Sequence, residues 1–195
     1  VLSDSSPSWD PNGDYLYFLS IRDFLPVYNE THFDLGFPFA TGAYAVVLNK
    51  DAPSPLDICK IDNDEDEDNE DESQEEQKES KKSQKKKEEE PLFEIDWDGL
   101  DDRIVTLPVE QGGTVQIYAA KDKFFYLKSE VKGISPQANW LSDDNTPTLY
   151  CYNLKEMKKE TWQAHVIDIE EARDSKHFLA YCEDGLRVIS KETKP

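Results

Sequence analysis

The feature that most limits how this chain can fold is a turn leading into a short strand, which occurs three times. Asp10-Pro11-Asn12-Gly13 precedes Tyr15-Leu16-Tyr17-Phe18-Leu19-Ser20, Lys121-Asp122 precedes Lys123-Phe124-Phe125-Tyr126-Leu127, and Asp174-Ser175-Lys176 precedes His177-Phe178-Leu179-Ala180-Tyr181-Cys182. In the first turn Pro presets φ and Gly takes the left-handed position, and the aromatic and branched runs that follow suit a pleated, half-buried surface. Another β-rich segment follows each run, at 43–49, 148–154 and 185–190, and two of these are followed by a further candidate, 103–109 and 159–165. About fifty residues separate the second and third copies, and an intervening acidic stretch accounts for the longer first interval.

Four antiparallel strands in each forty to fifty residues is the signature of β-propeller blades. The expected fold is therefore all-β, a partial β-propeller of about three four-stranded antiparallel blades with the last one incomplete. Blade one takes strands near 5–9, 14–20, 43–49 and 103–109. Blade two takes 114–120, 123–128, 148–154 and 159–165, and blade three takes 166–171, 176–182 and 185–190. As domains, residues 1–58 are the first part of blade one, 59–91 an acidic low-complexity insertion, 92–112 the remainder of blade one, 113–165 blade two and 166–195 the incomplete blade three. Closed propellers usually have about 4–8 blades, so this reading expects a fragment whose unpaired flank is completed by other blades.

The charge is concentrated. Residues 61–90 hold 15 acidic side chains and 6 lysines, with Ile61 their one apolar residue; too little area can be buried there to offset ordering entropy, and the stretch reads as a disordered, solvated insertion. Of the chain's 42 acidic and 22 basic residues this leaves 27 and 16 elsewhere, a net of −11 on ordinary globular material. The total of −20 repels phosphate backbones, which argues against nucleic acid as a partner. The longest apolar runs, Tyr15–Leu19 and Ala43–Leu48, fall far below the roughly 20 residues that span a bilayer, so no membrane is expected. The Asp62-x-Asp64-x-Asp66 spacing lacks the glycine and terminal glutamate of a calcium-binding loop.

Catalytic and cofactor chemistry find no foothold. There is no Gly-x-Ser-x-Gly elbow, His-Glu-x-x-His or phosphate-binding loop, and His32, His165 and His177 lie on different elements. Gly112-Gly113 reads as a hairpin-type turn. No cofactor, metal or catalytic residue is assigned. Cys59, Cys151 and Cys182 are odd in number and widely spaced, which fits buried thiols in a reducing compartment. The first thirty residues show no basic segment followed by an apolar stretch, so the location expected is cytoplasmic. The sequon Asn29-Glu30-Thr31 would matter in a secreted glycoprotein.

Ser6-Pro7-Ser8-Trp9-Asp10-Pro11-Asn12-Gly13 with its strand resembles the TolB-like, or PD40, propeller repeat. More particular are Ile21-Arg22-Asp23-Phe24-Leu25-Pro26-Val27-Tyr28, Phe33-Asp34-Leu35-Gly36-Phe37-Pro38-Phe39, Pro53-Ser54-Pro55 and the run from Glu94 to Val109. Together they look like the propeller region of tricorn-type proteases, self-compartmentalising serine peptidases of the S41 class, over 6–56 and 92–112. The resemblance implies a non-catalytic part of a peptidase, acting in peptide gating or channelling and in assembly. Its implied partners are the remaining blades, PDZ-like and catalytic domains of the same polypeptide, peptide substrates and, in the full-length protein, further copies in a homo-oligomer. The alternative is a stand-alone propeller module that binds proteins or peptides, its acidic arm recruiting basic partners.

Two connections are candidates for contacts. The stretch from Phe24 to Thr41, with Tyr28, His32, Phe33, Phe37 and Phe39, is too apolar for a free loop and is expected to pack on the propeller face or a neighbouring subunit. The segment 96–103, with Asp98, Asp101 and Arg103, would line a channel mouth or hold a cation; as a turn-rich connection, its aspartates would instead bond backbone N–H groups.

Overall fold

The computed structural model describes residues 3–30, 33–57, 95–131 and 146–194. The acidic stretch 61–90, His32 and Cys59 lie outside the described residues. Alternating aromatic and aliphatic runs form the strands β1 (Ser3–Trp9), β2 (Tyr15–Ile21), β3 (Val27–Asn29), β4 (Asp34–Gly36), β5 (Thr41–Val47), β6 (Ile104–Thr106), β7 (Thr114–Ala120), β8 (Lys123–Lys128), β9 (Thr148–Asn153), β10 (Lys158–Gln163), β11 (Val166–Glu171), β12 (His177–Cys182) and β13 (Gly185–Ser190). One turn of 3-10 helix, Leu100–Arg103, leads into β6.

These strands make two four-stranded sheets, β1-β2-β5-β6 and β7-β8-β9-β10, a three-stranded sheet, β11-β12-β13, and a separate ribbon of β3 and β4. Every pairing is antiparallel, and bulges interrupt β1, β7, β10 and β11. The 4-4-3 arrangement of consecutive meanders is that of propeller blades, with β1, β7 and β11 as the first strand of each. The ribbon β3–β4 interrupts a stretch that reads as loop in the sequence.

The core is built between blades. Tyr17, Leu19, Ala43 and Ala45 of the first sheet pack with Ile117, Ala119, Phe124 and Tyr126 of the second. Phe125, Leu127, Leu149 and Trp162 of the second pack with Ile169, Phe178 and Ala180 of the third. Polar groups stitch the same seams: Ile117 N donates to Ser6 Oγ at 3.1 Å and Ala119 N to Ser8 Oγ at 2.8 Å across the first. Tyr118 Oη donates to Ile169 O at 2.8 Å and Trp162 Nε1 to Ser190 O at 2.9 Å across the second. The face of the third sheet that no described residues cover carries Leu179, Tyr181, Leu186 and Val188, all exposed. In a propeller that face meets the next blade.

The turn entering β7 requires glycine. Gly113 has φ +74°, and a Cβ there would lie 2.1 Å from the carbonyl oxygen of Ser129, whose N–H in turn donates to Gly113 O at 2.9 Å. Gly113→Ala must therefore break the end of the β7–β8 ladder as well as strain its own backbone. A loss of at least about 2 kcal/mol is expected, checked by the urea midpoint of unfolding. An unchanged midpoint would show that the turn tolerates a side chain.

Candidate functional site

The connection between β2 and β5 is anchored at its root and open at its tip. Asp23 Oδ2 accepts from Tyr44 Oη at 3.2 Å and from Gln111 Nε2 at 3.0 Å, and burial together with the Asp23 charge raises the Tyr44 phenol above its usual range. Gly112 N donates to Thr41 O at 2.8 Å, and a Cβ on Gly112 would strike Pro38 O and the ring of Phe39, so Phe39 lies against the 112–113 turn. Beyond this root, Phe24 and Phe37 meet edge to face at 6.0 Å, while Tyr28 and Leu35 are exposed and Phe33 is 80% exposed. The predicted aromatic residues are thus divided: Phe39 is packed at the root, and Tyr28, Phe33 and Phe37 present apolar surface.

The second candidate connection is held by its arginine. Arg103 donates from Nε to Val47 O at 2.9 Å, from Nη1 to Asp98 O at 2.7 Å and from Nη2 to Leu48 O at 3.4 Å, with a further bond to Asp96 O. Asp96 N donates to Leu48 O, and Asp96 Oδ2 accepts from Lys50 N, both at 3.0 Å. A five-donor guanidinium suits this splinting of carbonyls, and it leaves Arg103 positioning the chain between Asp96 and β6. Asp98 and Asp101 are exposed. Asp101 also borders a cavity of about 300 Å³ on the outer face of the first sheet, with Arg22, Leu16, Phe18 and Leu100. The two candidate connections meet there through Arg22, at the root of the first, and Leu100 and Asp101 of the second.

The histidines lie apart. His177 Nδ1 lies 2.7 Å from Asp174 Oδ2, and this contact lowers the Asp174 carboxyl; His165 Nδ1 lies 3.6 Å from Glu183 Oε2. Cys151 and Cys182 are free and buried, and burial pushes the Cys151 thiol up to about 11, so it stays a thiol at neutral pH. Among the described residues no group of three or more His, Cys, Asp or Glu can hold a metal ion, and no helix is long and apolar enough to cross a membrane.

One constellation escaped the sequence reading. Asp10 and Asp14 in the β1–β2 turn, Asp122 in the β7–β8 turn, Asn12, Leu154 and the two tyrosines at the start of β2 enclose a cavity of about 180 Å³. Asp10 caps its turn by accepting from Asn12 N at 3.0 Å. Burial raises the Asp10 carboxyl, aided by the Asp14 and Asp122 charges and opposed by backbone N–H bonds. Burial, aided by the Asp14, Asp10 and Asp122 charges, pushes Tyr15 up to about 12, and burial, aided by the Asp10 and Asp122 charges, raises Tyr17 as well. The signal was the repeat itself, which puts an aspartate in the same turn of successive blades.

Four-stranded antiparallel sheets packed face to face through apolar seams, with a chain path that completes one meander before starting the next, define the chain as a run of β-propeller blades. Residues 1–192 match the model of the tricorn protease second beta propeller domain, and the chain belongs to that family. It is 31% identical over 193 residues to tricorn protease homolog 1 of Streptomyces coelicolor, covering 98% of this chain and 17% of that protein. It is 29% identical over 196 residues to the tricorn protease homolog of Saccharolobus solfataricus, covering 98% of this chain and 15% of that protein. The chain therefore spans about a sixth of the length of the curated relatives it matches. The crystal structure of the tricorn protease superposes with a TM-score of 0.67 at 18% identity, over 97% of this chain and 16% of that one, which supports the fold.

Proposed function

We propose that these blades are a non-catalytic part of a tricorn-like serine protease, located in the cytoplasm, that governs the passage of peptides and the assembly of the particle while other domains of the same polypeptide cleave bonds. The observation that carries this reading is the family match over 1–192 in a chain that is about a sixth the length of its relatives. The exposed Leu179, Tyr181, Leu186 and Val188 on the last sheet support it, because a patch of this kind marks a surface that meets another part of the assembly. So do the exposed aromatics around β3 and β4, which suit a contact with a neighbouring domain or subunit.

Two measurements test it. An antibody against 61–90 should detect, in lysate of the source organism, a band several times larger than 22.5 kDa. A band near that mass would exclude an attached protease and favour the stand-alone binding module. In the full-length protein, Phe33→Asp with Tyr28→Asp should change kcat/KM for long peptides about tenfold, roughly 1.4 kcal/mol of barrier, and leave dipeptide-sized substrates nearly unaffected. Equal effects on both sizes would remove the gating role.

A further inference from the structure

The turns align the three blades residue by residue. Leu48 N donates to Asp14 O at 2.9 Å, Leu154 N to Asp122 O at 3.0 Å and Lys191 N to Lys176 O at 2.9 Å, so the residue before the second strand of each blade is marked by the same bond. Counted from there, the second residue of that strand is Leu16, Phe124 or Phe178, and the third is Tyr17, Phe125 or Leu179. Both formed seams use these positions alike. The Tyr17 ring of the first blade meets Phe124 of the second at 5.8 Å, and the Phe125 ring of the second meets Phe178 of the third at 5.2 Å. Successive side chains of a strand point to opposite faces, so each blade offers a ring on one face and a receiving residue on the other.

The first blade has the receiving residue and, among the described residues, no ring upon it. Leu16 lies on the face turned away from the second blade, where it lines the cavity of about 300 Å³ with Phe18, Val46, Leu100 and Ile104. Arg22 closes one end: its guanidinium carbon is 5.2 Å from the centre of the Phe18 ring and 5.5 Å from that of Tyr44, and Nε donates to Ser20 Oγ at 2.9 Å. Phe18 and Val46 are already buried, whereas Leu16 is half-buried and forms the open part of the floor. We infer that this cavity is a socket for one aromatic side chain of the blade that precedes the first around the ring. The inference rests on the reading that the remaining blades belong to the same polypeptide. The volume equals roughly ten water-sized shares of space, room for a single ring. Leucine stands here where the two formed seams have phenylalanine, and the smaller residue leaves the incoming ring more depth. Ser5 and Asp101 line the same cavity and can accept from a phenol or an indole, which favours Tyr or Trp over Phe. A soluble ligand is disfavoured by position, since the corresponding faces of the second and third blades are filled by protein. Ring closure is common to propellers; the side chain that makes it here is set by this chain's own register.

The test uses the full-length polypeptide carrying a diazirine analogue of leucine at position 16, which nearly keeps the native volume and should fold. Irradiation should link position 16 to an aromatic residue of the same polypeptide, at the third position of a strand that follows a turn, identified by mass spectrometry of the digest. As a second measurement, Leu16→Cys should react with a maleimide about a hundredfold more slowly than Glu156→Cys, because the socket is filled while Glu156 stands in an exposed turn. A link to a second copy, a link to anything but an aromatic side chain of another blade, no link at all, or similar labelling rates at the two positions would overturn the inference. A polypeptide near 22.5 kDa would end both the inference and the reading it rests on, whereas a large polypeptide with position 16 open would end the inference alone.

Discussion

Phe125→Ala is expected to destabilise the blades by about 3–5 kcal/mol, the range for removing a buried aromatic ring. Phe125 is 0% exposed and sits in the seam between the second and third sheets. Its ring meets Trp162 edge to face at 5.2 Å and Phe178 at the same distance, and Lys123 Nζ lies 5.6 Å from its centroid. The alanine variant loses the transfer energy of the ring, two aromatic contacts each worth about 0.5–1.5 kcal/mol, and the packing that lets Trp162 reach Ser190 O. Neighbouring strands cannot close the gap, because β8 lies between β7 and β9 and is fixed by ladders on both edges. With a urea dependence of about 2 kcal/mol per molar, the midpoint should fall by roughly 2 M, read from Trp162 fluorescence. Phe125→Leu, which retains most of the volume, should lose about half as much or less. If the alanine variant lost under about 1 kcal/mol, the interblade seam would not be the core.

That seam shows what the sequence discloses and what it hides. The strands are legible because their aromatic and branched runs are bounded by turn formers: Asp10-Pro11-Asn12-Gly13, Lys121-Asp122 and Asp174-Ser175-Lys176 each precede a strand that exists, with ends one or two residues from where the pattern places them. The ribbon β3–β4 is not legible, since three-residue strands between Pro26, Gly36 and Pro38 are too short to show a period of two. Bonds between blades are hidden for another reason. Ser8 and Ala119 are 111 positions apart, and nothing local in either residue announces the partner. Arg103 suggested a contact site because a charged residue among aspartates looks functional, whereas its carbonyl partners at Val47 and Leu48 depend on the return of the chain after 58–94. The acidic cavity was half visible: Asp10 and Asp122 read as parts of turns and Asp14 as the start of a strand, but stacking two turns of the repeat is what brings the three residues to one cavity.

Glu171→Gln should be the most damaging substitution of a single charge in the described structure. Lys191, which follows β13, is 3% exposed, and its ammonium is paired with Glu171, donates to Ala119 O at 3.4 Å and lies 4.7 Å from the centre of the Phe178 ring. Glu171 ends β11 and Ala119 belongs to β7, so one lysine ties the last strand of the third sheet to its first strand and to the second blade. Breaking a buried ion pair from one side leaves a charge without compensation, at about 3–5 kcal/mol in full burial. Glu171 is about a third exposed and the ring and carbonyl remain, so roughly 2–3 kcal/mol is expected here. Lys191→Met should cost less, because the unbranched thioether keeps the stem over Phe178 and removes the stranded charge along with its partner's need for it. The double variant should then resemble Lys191→Met alone, giving a coupling energy of about 2–3 kcal/mol, the whole cost of Glu171→Gln, in a mutant cycle of urea midpoints. Additive losses would mean that the two side chains act separately. Because Ala119 N also receives its acceptor from Ser8 in the first blade, the same strand relays both seams, and amide exchange in β7 should rise with Glu171→Gln even though the substitution lies in β11.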